Sequence, residues 1–290
     1  TWSQVAKLVT SDGVSIYRVA ISGDVVVAGT SYDDSIASNA GAVYVFLTTD
    51  GGATYAQVAK LTASDAAASD YFGYSVAIDG ATIVVGAYYD DDAGSKSGSA
   101  YVFLTTDGGA TYDQVAKLTT ADGGSFGYSV AIDGGIVLIG AYYDDDAGSA
   151  SGSAYVFLAP RTSSWPQVAK MVAGDAASGD SFGQSVAIDC GTIVVGAPRK
   201  DDDTGAVYML HTTDGGATYG QVAKLTASDA ASDDYFGFSV DIDGDTVVVG
   251  AFYKSSGTGA VYVFRTSDGG ATYVEVAKLT ASDAASYDKF

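Results

Sequence analysis

Short apolar runs alternate with clusters of Gly, Asp and Ser along the whole chain, and this pattern repeats. The dipeptide Phe-Gly begins at Phe72, Phe126, Phe182 and Phe236, at spacings of 54, 56 and 54 residues. A fixed period of this length is typical of proteins that stack one structural unit many times. We therefore divide the chain into a first segment and five repeats, which span approximately 1–14, 15–71, 72–125, 126–181, 182–235 and 236–290.

Each repeat contains four short runs rich in Val, Ile, Tyr and Phe, which we call predicted strands a to d. Runs of this composition, bounded by turn-forming residues, indicate β-strands. The run assigned to strand b, such as Ile83 to Val85, is continuously apolar, so protein must cover both faces of its sheet. A radial array of four-stranded antiparallel blades provides this cover. The sequence therefore predicts an all-β protein, a single β-propeller domain over residues 1–290 with five complete four-stranded repeats.

The run of strand d, of the type Gln-Val-Ala-Lys, occurs six times, whereas the other three runs occur five times. The additional copy is Gln4 to Leu8, and we predict that it forms an extra outer strand within residues 1–14. Such a strand would complete a blade whose other strands come from the opposite end of the chain. Because Phe290 falls where another repeat would begin, an intact ring of six or seven blades and a closed ring of five blades both remain open.

The Phe-Gly that starts the last four repeats and the Gly-Ala that ends their strand b resemble FG-GAP repeat proteins, the family of the integrin α-subunit propeller. The Phe-Gly pairs are Phe72-Gly73, Phe126-Gly127, Phe182-Gly183 and Phe236-Gly237. The resemblance covers essentially the whole chain. It implies a secreted or cell-surface propeller that acts in adhesion or recognition and not in catalysis. The implied partners are other proteins, matrix components, or a larger fibre or surface assembly of which the chain is one element.

A second motif, Thr-Thr-Asp-Gly-Gly-Ala-Thr-Tyr with small variations, lies between predicted strands c and d. It resembles the Asp-box hairpin of sialidases, which implies a structural role in which Asp and Thr side chains satisfy the backbone of the turn. Its aspartates are Asp50, Asp107, Asp214 and Asp268. The third repeat has Ala159 to Pro166 in its place. Glycosidase activity is not supported, because the four arginines lie on scattered elements.

Composition excludes several classes of function. The formal net charge is -21, from 35 acidic and 14 basic residues, which repels nucleic acid. No apolar run approaches the roughly 18 residues that span a bilayer, so we expect no membrane insertion. One cysteine, Cys190, and one histidine, His211, leave little material for thiol or imidazole chemistry. We therefore expect no catalytic residues and no enzyme activity.

The loops between predicted strands b and c carry the densest acidic clusters. Neighbouring carboxylates attract hard divalent cations, so these loops are candidate calcium ligands. The candidates are Asp90, Asp91, Asp92, Asp144, Asp145, Asp146, Asp201, Asp202 and Asp203. A solvating acidic surface is the alternative, since no full alternating Asp loop with a closing Glu is present. The calcium loop of integrin-type repeats lies between strands a and b, where this chain has only short turns such as Asp79-Gly80.

Strand d carries one lysine at the same position in every copy, and we predict that these lysines, on the outer strands, pair with neighbouring acids or with the backbone. The lysines are Lys7, Lys60, Lys117, Lys170, Lys224 and Lys278.

Aromatic pairs such as Tyr88-Tyr89 and Tyr142-Tyr143 end strand b just before the acidic loops. Rings in this position either form a platform on which sugars stack or pack between neighbouring blades. The first interpretation gives an alternative function, a calcium-dependent carbohydrate-binding propeller with extracellular glycans as partners. No signal peptide is visible at Thr1, so the expected secreted or cell-surface location follows from the family resemblance alone.

Overall fold

The structure is a computed structural model, which describes residues 4–159 and 164–290. It divides into two compact units, Thr1–Ile132 and Asp133–Phe290. Its strands form five four-stranded sheets, each with its strands in chain order. The four strands match the predicted strands a to d, and five antiparallel sheets of this kind match the blades of a propeller-like fold.

The first two sheets lie in the first unit. Their strands are β1 (Arg18–Ser22), β2 (Val25–Thr30), β3 (Ala42–Leu47), β4 (Ala56–Leu61), β5 (Ser75–Asp79), β6 (Thr82–Ala87), β7 (Ser99–Leu104) and β8 (Asp113–Leu118). The third sheet contains β9 (Ser129–Asp133), β10 (Ile136–Ala141), β11 (Ser153–Leu158) and β12 (Gln167–Met171).

The last two sheets lie in the second unit, together with two one-turn elements. The strands are β13 (Ser185–Asp189), β14 (Thr192–Ala197), β15 (Ala206–His211), β16 (Gly220–Leu225), β17 (Phe236–Asp243), β18 (Thr246–Ala251), β19 (Ala260–Arg265) and β20 (Val274–Leu279). The short elements are α1 (Lys200–Asp203) and α2 (Lys254–Gly257), and both contain residues with left-handed backbone angles.

Two local features recur in the sheets. The first two strands are joined by a tight hairpin in which Asp79 pairs with Thr82, and Gly80 has a φ of 52°. Glycine tolerates this left-handed conformation without steric cost, so the predicted Asp-Gly turn is confirmed there. The third and fourth strands shift register by one residue, as between Val102 and Phe103. A bulge of this kind increases the local twist of a strand pair.

The apolar core lies between neighbouring sheets within each unit. In the first unit, Phe72 is fully buried in a cluster that includes Val43 and Val45 of the first sheet and Ile83 and Tyr101 of the second. In the second unit, Phe236 occupies the corresponding place between the fourth and fifth sheets. The phenylalanine that begins a repeat therefore joins that repeat to the preceding one.

A glycine of the preceding repeat contacts the backbone of this phenylalanine. Gly41 forms a parallel bridge with Phe72, and Gly205 forms one with Phe236. The amide of Phe236 also donates a hydrogen bond of 3.1 Å to the carbonyl oxygen of Thr204. A Cβ atom at Gly205 would lie 2.1 Å from the carbonyl oxygen of Phe236, so only glycine fits.

The predicted extra strand is wrong: Gln4 to Leu8 lie within the described part of the chain and form no strand. The physical reason is the lack of a pairing partner, because each third strand already pairs with the fourth strand of its own repeat. Instead, Leu8, Val14 and Ile16 pack against the outer face of the first sheet. Residues 160–163, in the segment that replaces the Asp-box motif, lie outside the described residues.

Candidate functional site

The acidic loops after the second strand of each sheet hold the predicted metal ligands. In the first three repeats the first aspartate of this loop is buried, and these residues are Asp33, Asp90 and Asp144. The hydroxyl of the third-strand tyrosine donates a hydrogen bond to that aspartate. The hydroxyl of Tyr101 is 2.6 Å from Oδ2 of Asp90, and that of Tyr155 is 2.7 Å from Oδ2 of Asp144. The loop is thus anchored to the sheet by a buried hydrogen bond.

The lysine of the fourth strand contacts the same aspartates. In the second repeat, Nζ of Lys117 lies 2.8 Å from Asp65, 2.9 Å from Asp90 and 2.6 Å from Asp92. Asp65 belongs to the loop that precedes the repeat, so the ammonium joins two loops. The ammonium also lies 5.3 Å from the ring centre of Tyr101.

The other repeats contain the same arrangement with different loop residues. The ion pairs are Lys60 with Asp12 and Asp33, Lys170 with Asp144 and Asp146, Lys224 with Asp175 and Asp201, and Lys278 with Asp229. The prediction that the strand-d lysines pair with neighbouring acids is therefore confirmed for the five that lie on strands.

The fourth and fifth repeats replace the first loop aspartate by a lysine. Lys200 and Lys254 are both buried. Nζ of Lys200 lies 2.9 Å from Oδ2 of Asp180 and 2.6 Å from the backbone oxygen of Asp175. Lys254 makes the equivalent ion pair with Asp234, at 2.7 Å. A second ammonium therefore balances the acidic loops of these two repeats.

These contacts shift the pKa values of the loop carboxylates and of the lysines. Burial alone raises the pKa of Asp65, but hydrogen bonds from Lys117 and Tyr101 outweigh it and hold the pKa below its ordinary value. The carboxylates around Lys117 raise its pKa in spite of burial. The ammonium and its acidic partner Asp65 are therefore both charged at neutral pH, which strengthens the hydrogen bonds between them.

The acidic clusters could in principle bind a metal ion. Oxygen atoms of Asp65, Asp90 and Asp92 all lie within 4.8 Å of one another. A calcium ion requires 6–8 oxygen ligands at about 2.3–2.6 Å, and in this cluster the ammonium of Lys117 lies between the three carboxylates. The residues present therefore do not fit calcium while the lysine keeps its place.

The remaining predicted ligands take several different positions. The carboxylate of Asp145 accepts a hydrogen bond of 2.7 Å from the amide of Ala150, within its own loop. Asp201, Asp202 and Asp203 have left-handed φ angles of 52°, 57° and 59°, and Asp203 accepts a hydrogen bond from Tyr235. Asp91 is exposed. Burial raises the pKa of Asp70, and the charges of Asp90 and Asp91 add smaller increases. The nine residues are therefore not one ligand set, and their role in metal binding stays a prediction.

The aspartates of the turns between the third and fourth strands accept hydrogen bonds from groups of their own turn. Asp50 accepts hydrogen bonds of 2.9 Å from the amide and 2.6 Å from the hydroxyl of Thr54, and one of 2.8 Å from the hydroxyl of Thr48. The same contacts recur at Asp107, Asp214 and Asp268. These hydrogen bonds lower the pKa of Asp50, Asp214 and Asp268 to about 2.

A pH titration tests the role of these turns. A carboxylate whose pKa is lower in the folded state contributes stability above about pH 4 and loses it as pH falls toward 2, because the unfolded chain binds the proton first. We expect the urea midpoint of the wild-type protein to fall between about pH 4 and 2, and Asp214→Asn to show a shallower fall in that window. The exposed Asp113→Asn is the control. Identical slopes in all three proteins would contradict the assignment.

Tyrosine rings form a continuous cluster in the first unit. The ring centres of successive neighbours are 4.3–5.7 Å apart. The rings are those of Tyr17, Tyr32, Tyr71, Tyr74, Tyr88, Tyr89 and Tyr128, and we call them the tyrosine cluster. Tyr17 is 52% and Tyr32 is 55% exposed. Two cations flank the cluster, because Arg18 lies over the ring of Tyr74 and Lys96 over that of Tyr89.

Sequence reasoning found only the pair Tyr88-Tyr89 of this cluster. The repeat could have revealed two further members, Tyr74 and Tyr128, because each stands two residues after the phenylalanine that begins its repeat. Tyr17 and Tyr32 lie in the first repeat, which lacks Phe-Gly, so the period did not reveal them. The rings pack against one another, and the cluster reaches the surface at Tyr17 and Tyr32. A role in stacking sugars stays a prediction.

The unusual single residues contact nearby polar groups. Cys190 is exposed, and its amide donates a hydrogen bond of 2.8 Å to Asp133. A hydrogen bond to Asp189 and the nearby negative charge raise the pKa of the Cys190 thiol, which makes it less nucleophilic. His211 lies 3.2 Å from the hydroxyl of Thr192. Among the described residues, no helix has the length and apolar character needed to cross a membrane.

Comparison with protein-family models identifies the repeat. The model of the FG-GAP repeat matches residues 2–46, 55–103, 112–157, 165–210 and 219–264. No curated protein sequence matches the chain.

Proposed function

Because the chain belongs to the FG-GAP repeat family, we propose that it is an extracellular, non-catalytic interaction module that recognises another protein through its tyrosine cluster. FG-GAP repeats form interaction modules that are typically extracellular. Adhesion to a matrix or a surface assembly is the setting that this proposal favours.

The observation that carries the proposal is the exposure of connected tyrosine rings. Tyr17 and Tyr32 are each about half exposed, and their centres lie 5.2 Å apart. Tyrosine is enriched in protein interfaces because it offers a large apolar area and a polar hydroxyl with little loss of conformational freedom. Packing against Tyr71 holds Tyr32 in place, so little ordering is required when a partner binds.

Charge determines the kind of partner that we propose. The chain carries a formal net charge of -21, which steers basic partners toward it and repels acidic ones. A protein segment rich in Lys and Arg would therefore associate quickly and stack its cationic groups on the tyrosine rings. The loop carboxylates that contact lysine and tyrosine are engaged in structure, which supports a role other than acid-base catalysis.

Selection from a random-peptide library on the immobilised protein tests this proposal. We expect enrichment of Lys- and Arg-rich peptides, whose affinity falls with salt and drops at least tenfold in a Tyr17→Ser/Tyr32→Ser variant. Val115→Ser is the control, because Val115 is 43% exposed in the same unit but lies outside the cluster. Peptides that bind both variants equally, or no enrichment at all, would refute the proposal.

The carbohydrate alternative uses the same rings, since sugars also stack on exposed tyrosines. A glycan array probed with and without a chelator distinguishes the two functions. Binding that depends on Tyr32 and on calcium would replace the protein-recognition proposal with the alternative. Absence of glycan binding in both conditions would exclude the alternative and leave the first proposal in place.

A further inference from the structure

We infer that the lysine ammonium groups are the built-in cations of the acidic loops, so that this FG-GAP chain holds its loop carboxylates together without calcium. We infer further that removing one of these lysines converts its cluster into a divalent-cation site. The inference concerns the loops and is independent of the recognition role proposed for the tyrosine cluster.

The second repeat gives the clearest geometry. The three oxygens that approach within 4.8 Å of one another belong to Asp65, Asp90 and Asp92. Each of these residues also has a carboxylate oxygen 2.6–2.9 Å from Nζ of Lys117. Three negative charges at this separation repel one another, and one positive group among them offsets the repulsion. The lysine therefore performs the task that a bound cation performs in a metal loop.

Lys200 and Lys254 support the inference independently. Each stands where the second repeat has Asp90, and each is buried. Nζ of Lys200 contacts one carboxylate oxygen and one backbone carbonyl oxygen of the preceding loop. Lys254 contacts the carboxylate of Asp234 and the backbone oxygen of Asp229 in the same way. Carboxylate and carbonyl oxygens are the ligands that calcium prefers, so an ammonium occupies a calcium-like environment in two sister repeats.

A tethered ammonium and a free ion differ in one measurable respect. A free ion stabilises the folded state in proportion to the logarithm of its concentration, whereas a lysine is part of the folded chain at every ion concentration. The stability of the wild-type protein is therefore independent of calcium. Without Lys117, Asp65 and Asp90 still accept hydrogen bonds from the hydroxyl of Tyr101, but no positive group offsets the repulsion between the three carboxylates. A divalent cation can then take the place of the ammonium and offset that repulsion.

Thermal unfolding of the full chain with EDTA or with calcium tests the inference. We expect the wild-type Tm to be the same in both conditions and calorimetric titration of the wild type with calcium to give no binding. We expect Lys117→Ala to have a lower Tm in EDTA and to gain about 5 °C in saturating calcium. Lys96→Ala is the control, because Lys96 is an exposed lysine of the same unit that lies over Tyr89.

A double variant checks that the calcium effect arises at the cluster. Adding Asp92→Asn to Lys117→Ala removes one carboxylate, and we expect the calcium-dependent gain in Tm to disappear. Two results would overturn the inference: a wild-type protein that loses stability in EDTA and regains it with calcium, or a folded Lys117→Ala variant that does not respond to calcium. If the variant fails to fold, the wild-type Tm in EDTA and in calcium still tests whether the loops are held together without calcium.

Discussion

Replacing Gly205 by alanine is expected to destabilise the second unit by about 3 kcal/mol or more. Gly205 has a φ of 88°, and a Cβ atom there would lie 2.1 Å from the carbonyl oxygen of Phe236 and 2.5 Å from its amide nitrogen. A left-handed conformation costs a residue with a side chain roughly 1–2 kcal/mol. Overpacking typically costs a further 1–3 kcal/mol. Both atoms that would collide belong to the backbone, so no side-chain rotation relieves the contact.

Guanidinium unfolding followed by near-ultraviolet circular dichroism measures this effect. Gly220→Ala is the matched control, because Gly220 lies in β16 of the same unit, has no left-handed φ, and would place a Cβ atom with no neighbour within 4 Å. We expect Gly220→Ala to change the free energy of unfolding by less than about 0.5 kcal/mol. Equal stability of the two variants would show that the bridge between Gly205 and Phe236 does not limit the stability of the fold.

The periodicity of the sequence was enough to predict the sheets. The predicted Asp79-Gly80 turn forms the hairpin between β5 and β6, and the apolar run from Ile83 to Val85 is fully buried. These features are local, since a turn and the strands beside it are encoded by adjacent residues. The run from Gln4 to Leu8 has the composition of a strand but forms none, because a strand also needs a neighbour with free backbone groups.

The candidate sites were less predictable because they join distant parts of the sequence. Asp65 and Lys117 are 52 residues apart, and both are common surface residue types. The sequence showed that acids and lysines recur, and it predicted their pairing, but it did not show that three carboxylates converge on one ammonium. The calcium hypothesis arose from the dense aspartates of the loops. Lys117, on an outer strand, was predicted to pair with neighbouring acids or backbone, and not to lie among the proposed calcium ligands.

The repeated contacts also explain how neighbouring repeats are joined. The loop with Asp65 precedes the second repeat, yet its carboxylate is held by Tyr101 and Lys117 of that repeat. Asp175 is held in the same way by Tyr208 and Lys224. Each such loop is therefore fixed by the following repeat, in addition to the apolar contact made by the repeated phenylalanine. In repeat proteins, stability depends on such interfaces between neighbours.

Replacing Phe72 by alanine is expected to destabilise the first unit by about 3–5 kcal/mol, the usual cost of deleting a buried phenylalanine ring. The ring is fully buried between the first and second sheets, and its centre lies 5.4 Å from that of Tyr101 and 6.0 Å from that of Phe103. Its loss would leave a cavity at the interface of two sheets. Phe72→Leu retains most of the volume, and we expect it to cost less than about 1.5 kcal/mol.

Denaturant unfolding gives the total effect of these Phe72 variants, and hydrogen exchange locates it. If Phe72 joins the two sheets, amides of β2 and β6 lose protection together in Phe72→Ala, because neighbouring repeats unfold as coupled units. Ile21→Ala, at a site 63% exposed on β1, is the control and should change the unfolding free energy by less than about 0.5 kcal/mol. A Phe72→Ala protein as stable as this control would show that the repeated phenylalanine does not hold the sheets together.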